Sequence, residues 1–245
     1  MFKFALVAAL EREIAGLIGS AKRVEREHEG RKFIFFERDE SVIVCGGIGV
    51  DAARRAAEAA IAFYHPLVVY SVGFAGALRP DMRVGDIFCP GAVVDVRDGS
   101  RTEIAGGDGV LLTFMAVAGR QQKMKLAEAY AAKAVDMEAS GVAAAARVHG
   151  LRFSATKVIS DELAFELPEI ARFINVQGRF RTAAFAVFVA LRPWLWRRVA
   201  LLAANSGKAA RAPGEHLKGA ITRLNDAVEA EANEAKSASI SSNFS

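Results

Sequence analysis

The residues of this sequence best suited to moving protons are carboxyl groups placed where apolar runs end. Glu13 follows the run at residues 4–9, Asp86 follows Gly85, Glu138 closes Val135-Asp136-Met137, and Asp161 follows Ile159-Ser160. A carboxyl group works as general acid or base and, when ionised, accepts hydrogen bonds from hydroxyl groups. The carboxyl ends of strands are where open α/β sheets place their ligands. Each acid also has a plainer reading. Glu13 suits a helix's first turn, facing the positive end of its dipole; Asp161 can cap a turn; Glu138 can pair with a basic residue on the helix it opens. Taken together, Glu13, Glu138 and Asp161 say more than any one alone.

Other chemistries have weaker footing. Gly47-Ile48-Gly49 begins like a dinucleotide-binding loop, but the fingerprint's third glycine falls at Ala52 and the next strand closes on Tyr70-Ser71 without an acid, which excludes that reading. The sequence contains no Walker loop, no His-Glu-x-x-His and no Gly-x-Ser-x-Gly. Two cysteines, Cys45 and Cys89, and four scattered histidines make neither a disulfide framework nor a zinc cluster, so no metal is expected and a reducing cytoplasm fits best.

The acids need a scaffold, and the first two-thirds of the chain supplies one by alternating short aliphatic runs with Ala-rich helical stretches. This is the pattern of an α/β fold with a central sheet flanked by helices. Strands are expected at residues 4–9, 41–45 and 67–71, with helices opening at Glu11 and spanning 50–63. Residues 24–38, interrupted by Glu29-Gly30, read as an antiparallel hairpin, which makes the sheet mixed. Gly73-Phe74-Ala75-Gly76 is expected to be a loop at the end of the third strand. Further strands are expected at 86–95, 110–118, 133–136 and 153–158, a helix at 139–149, and a loop at Gly106-Gly107-Asp108-Gly109.

Beyond residue 165 the pattern is helical only, including 182–191 and a helix from Pro193, a residue suited to a first turn. The expected organisation is an α/β core at 1–165, a helical extension at 166–228 packed on the same domain, and a flexible Ala/Ser-rich tail at 229–245.

With 245 residues, 52% hydrophobic and 24% charged, the chain can bury a sizeable core and is too apolar to be disordered. The N-terminal apolar run meets Glu11 too early for a signal peptide. The longest apolar run, 183–191, is far shorter than the roughly 17 residues that span a bilayer. The net charge of +4 is unevenly placed: Arg192, Arg197, Arg198, Lys208, Arg211, Lys218 and Arg223 against Glu215 give residues 192–223 a charge of +6, and the remainder is −2. Phe185, Phe188, Trp194 and Trp196 lie among Arg181, Arg192, Arg197 and Arg198, a mixture suited to helices lying flat on an anionic membrane, where each basic residue contributes about 1 kcal/mol. The alternative is that the aromatics pack on the sheet or on a second copy while the arginines face solvent. No nucleic-acid recognition module accompanies the charge, so nucleic acid is not an expected partner.

Six short motifs in order resemble the purine nucleoside phosphorylase and methylthioadenosine/S-adenosylhomocysteine nucleosidase superfamily. They are Ala9-Leu10-Glu11-Arg12-Glu13-Ile14, Gly47-Ile48-Gly49, residues 73–78, Val84-Gly85-Asp86-Ile87, residues 135–139 and Ile159-Ser160-Asp161, covering roughly residues 3–165. The short middle segment, Arg192-Pro193 and the basic C-terminal stretch look most like the hopanoid-associated group, which acts on an adenosylated polycyclic lipid. The resemblance implies a nucleoside phosphorylase-like fold, self-association, no resident cofactor, and cleavage of a purine nucleoside's N-glycosidic bond in the cytoplasm or on the inner membrane face. It implies roles as well: Glu13 activates water, Asp161 protonates the leaving base with help from Ser160, Glu138 and the Met137 backbone grip the ribose hydroxyls, and Ala75 and Gly76 lie under the purine. These residue types suit a reaction through an oxocarbenium-like sugar, as paired carboxyl groups do in sugar hydrolysis.

Departures from the family pattern shape the expectation further. Phe74 stands where the small nucleosidases have Ser, and no Arg precedes that segment, which favours water over inorganic phosphate as nucleophile. Phosphorolysis, with phosphate as co-substrate, stays open, with Arg54 and Arg79 as candidate cations off the motif. Residues 110–122 replace the segment that closes over the purine, where Phe114 either stacks on the base or packs in a strand. A nucleoside- or lipid-binding protein without turnover is the reading from another class, and retention of all three carboxylates weighs against it.

Overall fold

Short aliphatic runs with both faces apolar have to be covered on both sides, and in the computed structural model, which describes residues 2–165 and Phe173, they are. The helical extension, its basic and aromatic residues and the tail fall outside the described residues.

The elements are β1 (Phe4–Ala8), a 3-10 turn (Glu11–Glu13), α1 (Ala15–Ile18), β2 (Lys22–His28), β3 (Arg31–Arg38), β4 (Ser41–Cys45), α2 (Val50–Tyr64) and β5 (Val68–Ala77). There follow β6 (Ile87–Phe88), β7 (Ala92–Asp95), β8 (Arg101–Glu103), β9 (Val110–Thr113), α3 (Arg120–Tyr130), β10 (Ala134–Asp136), α4 (Ala139–Val148) and β11 (Arg152–Asp161). The strands form one mixed sheet in the order β2-β3-β4-β1-β5-β10-β9-β7-β8, with β11 pairing β5 and β6.

One face of β1 and β4, through Ala5, Val7, Val42 and Val44, packs on the alanines of α2 and on Val142, Ala145 and Ala146 of α4. The other face, through Phe4, Leu6 and Ile43, packs on Ile14 and on Leu17 of α1. Alanine both favours the helix and lets α2 and α4 lie close to the sheet.

The position of the site follows from how β5 is shared. Its first half, Val68 to Ser71, pairs in parallel with β1, while Gly76 and Ala77 pair antiparallel with β10 on that same side. Between them, Val72–Ala75 lies in a fork of the sheet. The other edge of β5 pairs with β11 along its length, setting Lys157 beside Gly73 and Asp161 beside Gly76, with an extra residue in β11 between Ile159 and Asp161.

Several sequence expectations are corrected here. Gly73-Phe74-Ala75-Gly76 is strand rather than loop, because β11 offers a continuous parallel partner and Gly73 accepts a φ of +143° inside the strand. The expected strand at 86–95 divides into β6 and β7 around Pro90, which has no ladder donor. The strand expected at 110–118 stops at Thr113, and the one expected at 153–158 runs on to Asp161. β8 and α3 had not been foreseen. The hairpin falls where its alternation placed it, as β2 and β3.

Candidate active site

Glu13 sits in the turn that follows β1, which aims it into the fork; it is buried, and a β-carbon on Gly73 would lie 2.5 Å from its Oε2. Gly73 is therefore where the strand gives way to a carboxylate. A narrow cavity beside Glu13 is walled by Ile14, Val72, Gly73, Ile87, Thr156 and Val158.

Glu138 comes from the end of β10 as α4 begins. Its Oε1 accepts the Gly49 amide at 3.0 Å and its Oε2 the Met137 amide at 3.2 Å. Gly49 precedes α2 with a φ of +102°, so the Gly47-Ile48-Gly49 turn that looked like part of a dinucleotide loop instead presents a donor to Glu138.

Lys157, which sequence reasoning missed, joins these groups. Its ammonium is 2.8 Å from Asp136 Oδ2 and donates to Ser71 Oγ at 2.9 Å, in a fully buried setting. A polar ladder holds Asp136 in turn: Thr113 Oγ1 donates to its Oδ1 at 2.8 Å and the Ala139 amide to its Oδ2 at 2.9 Å. The Ser140 amide donates to Thr113 Oγ1, and Ser140 Oγ reaches Asp95, which Arg97 clasps from the surface. These bonds fix the first turn of α4 and with it the origin of Glu138.

One lysine thus serves three carboxyl groups. Burial raises Glu13 to about 7 against the opposing pull of Lys157. Burial, with Asp136 next to it, raises Glu138 to about 8. Burial alone would lower the Lys157 ammonium, but Asp136 and Glu138 reverse this and hold it raised. With Lys157 paired to Asp136, each ionisation of Glu13 or Glu138 adds uncompensated negative charge.

A second group forms about 10 Å further along β5, the rise of three strand residues. Asp161 is buried; its Oδ1 lies 2.6 Å from Ser160 Oγ, which is also 3.3 Å from the Ala75 carbonyl, and its Oδ2 is met by the ammonium of Lys123. Two successive strand residues normally point to opposite faces; the bulge lets Ser160 and Asp161 lie side by side. Lys123 was also missed in the sequence. The sign was there: positions 123, 126, 127 and 130 form one helical stripe, completed by Leu126, Ala127 and Tyr130.

Of the expected site residues, Glu13, Glu138 and Met137 gather at the Lys157 end, and Asp161, Ser160, Ala75 and Gly76 at the Lys123 end. Phe114, one residue past β9, is half-buried against the cluster of Leu78, Val94 and Leu112. Asp86 is exposed and caps its own turn, accepting the Arg83 amide at 2.7 Å. Arg54 is engaged by Glu58 at 2.6 Å. Among the described residues no group of three or more His, Cys, Asp or Glu could hold a metal ion, and no helix is long and apolar enough to cross a membrane.

The mixed sheet flanked by helices is a nucleoside phosphorylase-like fold, and solved structures share that fold. A 5′-methylthioadenosine/S-adenosylhomocysteine nucleosidase from Helicobacter pylori matches with a TM-score of 0.63 at 16% identity, covering 89% of this chain and 99% of that one. The futalosine hydrolase of Helicobacter pylori matches with a TM-score of 0.63 at 17% identity, covering 89% and 98%. A nucleosidase from Colwellia psychrerythraea 34H in complex with adenine matches at 0.56 and 22% identity, covering 66% and 84%. No curated protein matches the sequence. The family model of the phosphorylase superfamily matches residues 3–118 and 108–191, and the chain belongs to that superfamily.

Proposed function

We propose that the protein is a purine nucleosidase that hydrolyses the C1′–N9 bond of an adenine nucleoside. Glu13, as carboxylate, takes a proton from the attacking water; Glu138 turns from the Gly49 and Met137 amides to the ribose hydroxyls, leaving the Met137 amide free to join it. Asp161 donates a proton to the purine at N7, with Ser160 setting its orientation, while Ala75 and Gly76 let the base lie close to the strand. The spacing of about 10 Å between the two groups suits a nucleoside with its sugar at Lys157 and its base at Lys123.

The observation that carries this reading is the charge at the sugar end. Lys157 lies 2.8 Å from Asp136 and also faces Glu138 and Glu13, so its charge is already engaged by carboxyl groups. Water fits there. A phosphate anion would meet several carboxyl groups there, with the buried Lys157 already engaged.

The proposed substrate carries a hydrophobic, lipid-like substituent at the 5′ position, such as adenosylhopane. Support comes from the sequence resemblance and from the aromatic and basic residues between 181 and 223, which suit docking on an anionic membrane. The test is adenine release from methylthioadenosine, S-adenosylhomocysteine, adenosine and an adenosylated lipid, each with and without phosphate. Release without phosphate, fastest from the lipid, is expected. Release that requires phosphate would replace hydrolysis with phosphorolysis, and no release from any of them would remove the adenine assignment.

A further inference from the structure

Lys123 is chemically out of place on its helix. The stripe it shares with Leu126, Ala127 and Tyr130 borders the apolar cluster around Leu78 and Leu112, yet the lysine's own end lies among polar groups. The lysine side chain is 1% exposed. Its ammonium meets Asp161 Oδ2 and lies 2.8 Å from the Glu162 carbonyl and 3.5 Å from that of Asp161. Burial of an ion pair is weak evidence for added stability, since replacing both partners by apolar groups of like size often does as well. Its position points to function instead. A β-carbon at Gly76 would lie 3.0 Å from Asp161 Oδ2 and 3.1 Å from Lys123 Cε, so the strand is bare where the pair meets the base end of the site.

We propose that Lys123 is a positioning residue for the acid Asp161, aimed at the oxygen on which negative charge develops as the purine departs. The inference rests on the nucleosidase reading. In the step concerned, the Asp161 O–H bond breaks, an N–H bond forms at N7, and the electron pair of the C1′–N9 bond passes to the base. Asp161 is left as a buried carboxylate, with the Lys123 ammonium on one oxygen and the Ser160 hydroxyl on the other. A fixed cation already facing that charge stabilises the transition state without reorganisation. Lys157, by contrast, acts at the sugar end and has no part in this step.

The experiment compares two substrates of the full-length protein: adenosine, whose base leaves with a proton, and a nitrophenyl riboside, whose leaving group departs as a stable anion. Lys123→Met is expected to lower kcat for adenosine about 100-fold with KM little changed, and to leave the nitrophenyl riboside rate intact. Lys123→Arg is expected to recover most of the adenosine rate. Should Lys123→Met not fold, Lys123→Gln, which keeps donors and loses the charge, should show the same selective loss. Equal losses on both substrates, or an unimpaired Lys123→Met, overturn the inference while leaving the nucleosidase reading in place. A wild-type protein that cleaves the nitrophenyl riboside and no purine nucleoside overturns that reading directly, and this inference with it.

Discussion

Two buried lysines, at opposite ends of the candidate site, face their acids in different proportions. Lys157 stands among Asp136, Glu138 and Glu13, one cation for three carboxyl groups. Lys123 faces the single carboxyl group of Asp161 and two backbone carbonyls. An excess of acids around one cation leaves carboxyl groups that bind protons near neutrality, which suits a group that must accept one from water. A one-to-one pair holds a single acid in a fixed orientation, which suits directional delivery to a base. On the proposed reading the same residue type serves two tasks, set by how many acids surround it.

The largest expected effect tests whether both ends are needed. Glu13→Gln and Asp161→Asn are each expected to lower kcat for adenosine by about 100- to 10,000-fold while circular dichroism shows a folded chain. Full activity in either variant would break the comparison at that end.

Removing the cation tests the three-acid cluster through stability. Lys157→Met should cost about 3–5 kcal/mol at pH about 8, read from denaturant unfolding, because carboxylates are left unpaired. The loss should shrink at pH about 5, where Glu13 and Glu138 hold their protons. A loss independent of pH would mean that packing, and not charge, is what Lys157 supplies.

The wild-type protein should show the same cluster in its own pH dependence. Glu13 is raised to about 7 in the folded chain from an ordinary value of 4.5. Between those values the folded state keeps a proton that the unfolded chain has released, so the contribution of Glu13 to stability is full below about 4.5 and is lost as pH rises through about 7, roughly 3 kcal/mol in all. Activity runs the other way, since the carboxylate form takes the proton from water; kcat/KM should rise as pH passes about 7. Glu13→Gln should flatten the stability slope, and an unchanged slope would remove Glu13 from the account.

Smaller effects sharpen the positions of the groups. Gly73→Ala places a methyl against Glu13 at a φ that L-residues avoid and should cost about 1–3 kcal/mol together with part of the turnover. Phe114→Leu should change KM for adenosine little, since the ring packs on Leu78 and Leu112; a large rise in KM would restore it as the stacking residue.

The frame of the sheet was legible because β1, β4 and β5 are uninterrupted aliphatic runs and α2 is a long alanine stripe. The carboxylates were legible because each stands at the end of an apolar run and they recur in a known order of motifs. The lysines were not. Lys157 lies in a run of buried residues, Thr156 to Ile159, where both faces are covered and period-two alternation carries no information. Lys123 breaks an otherwise apolar stripe of a helix too polar to be noticed, with Lys123 and Leu126 its buried residues. The segment from Gly73 to Gly76 was misread for a related reason. Glycines signal turns when strand pairing is unknown, yet here they clear room for carboxylates beside a strand whose partner lies some 80 residues away in sequence.

The bulge in β11 has a consequence for how the gene for this chain can vary. Because Ser160 and Asp161 share one pairing position opposite the end of β5, the distance between hydroxyl and carboxyl is set by the number of residues between Ile159 and Glu162. A substitution at Ser160 removes the hydroxyl's contacts with Asp161 and the Ala75 carbonyl. An insertion or deletion of a single residue there disperses the pair or removes half of it, so this stretch can drift in identity far more readily than in length.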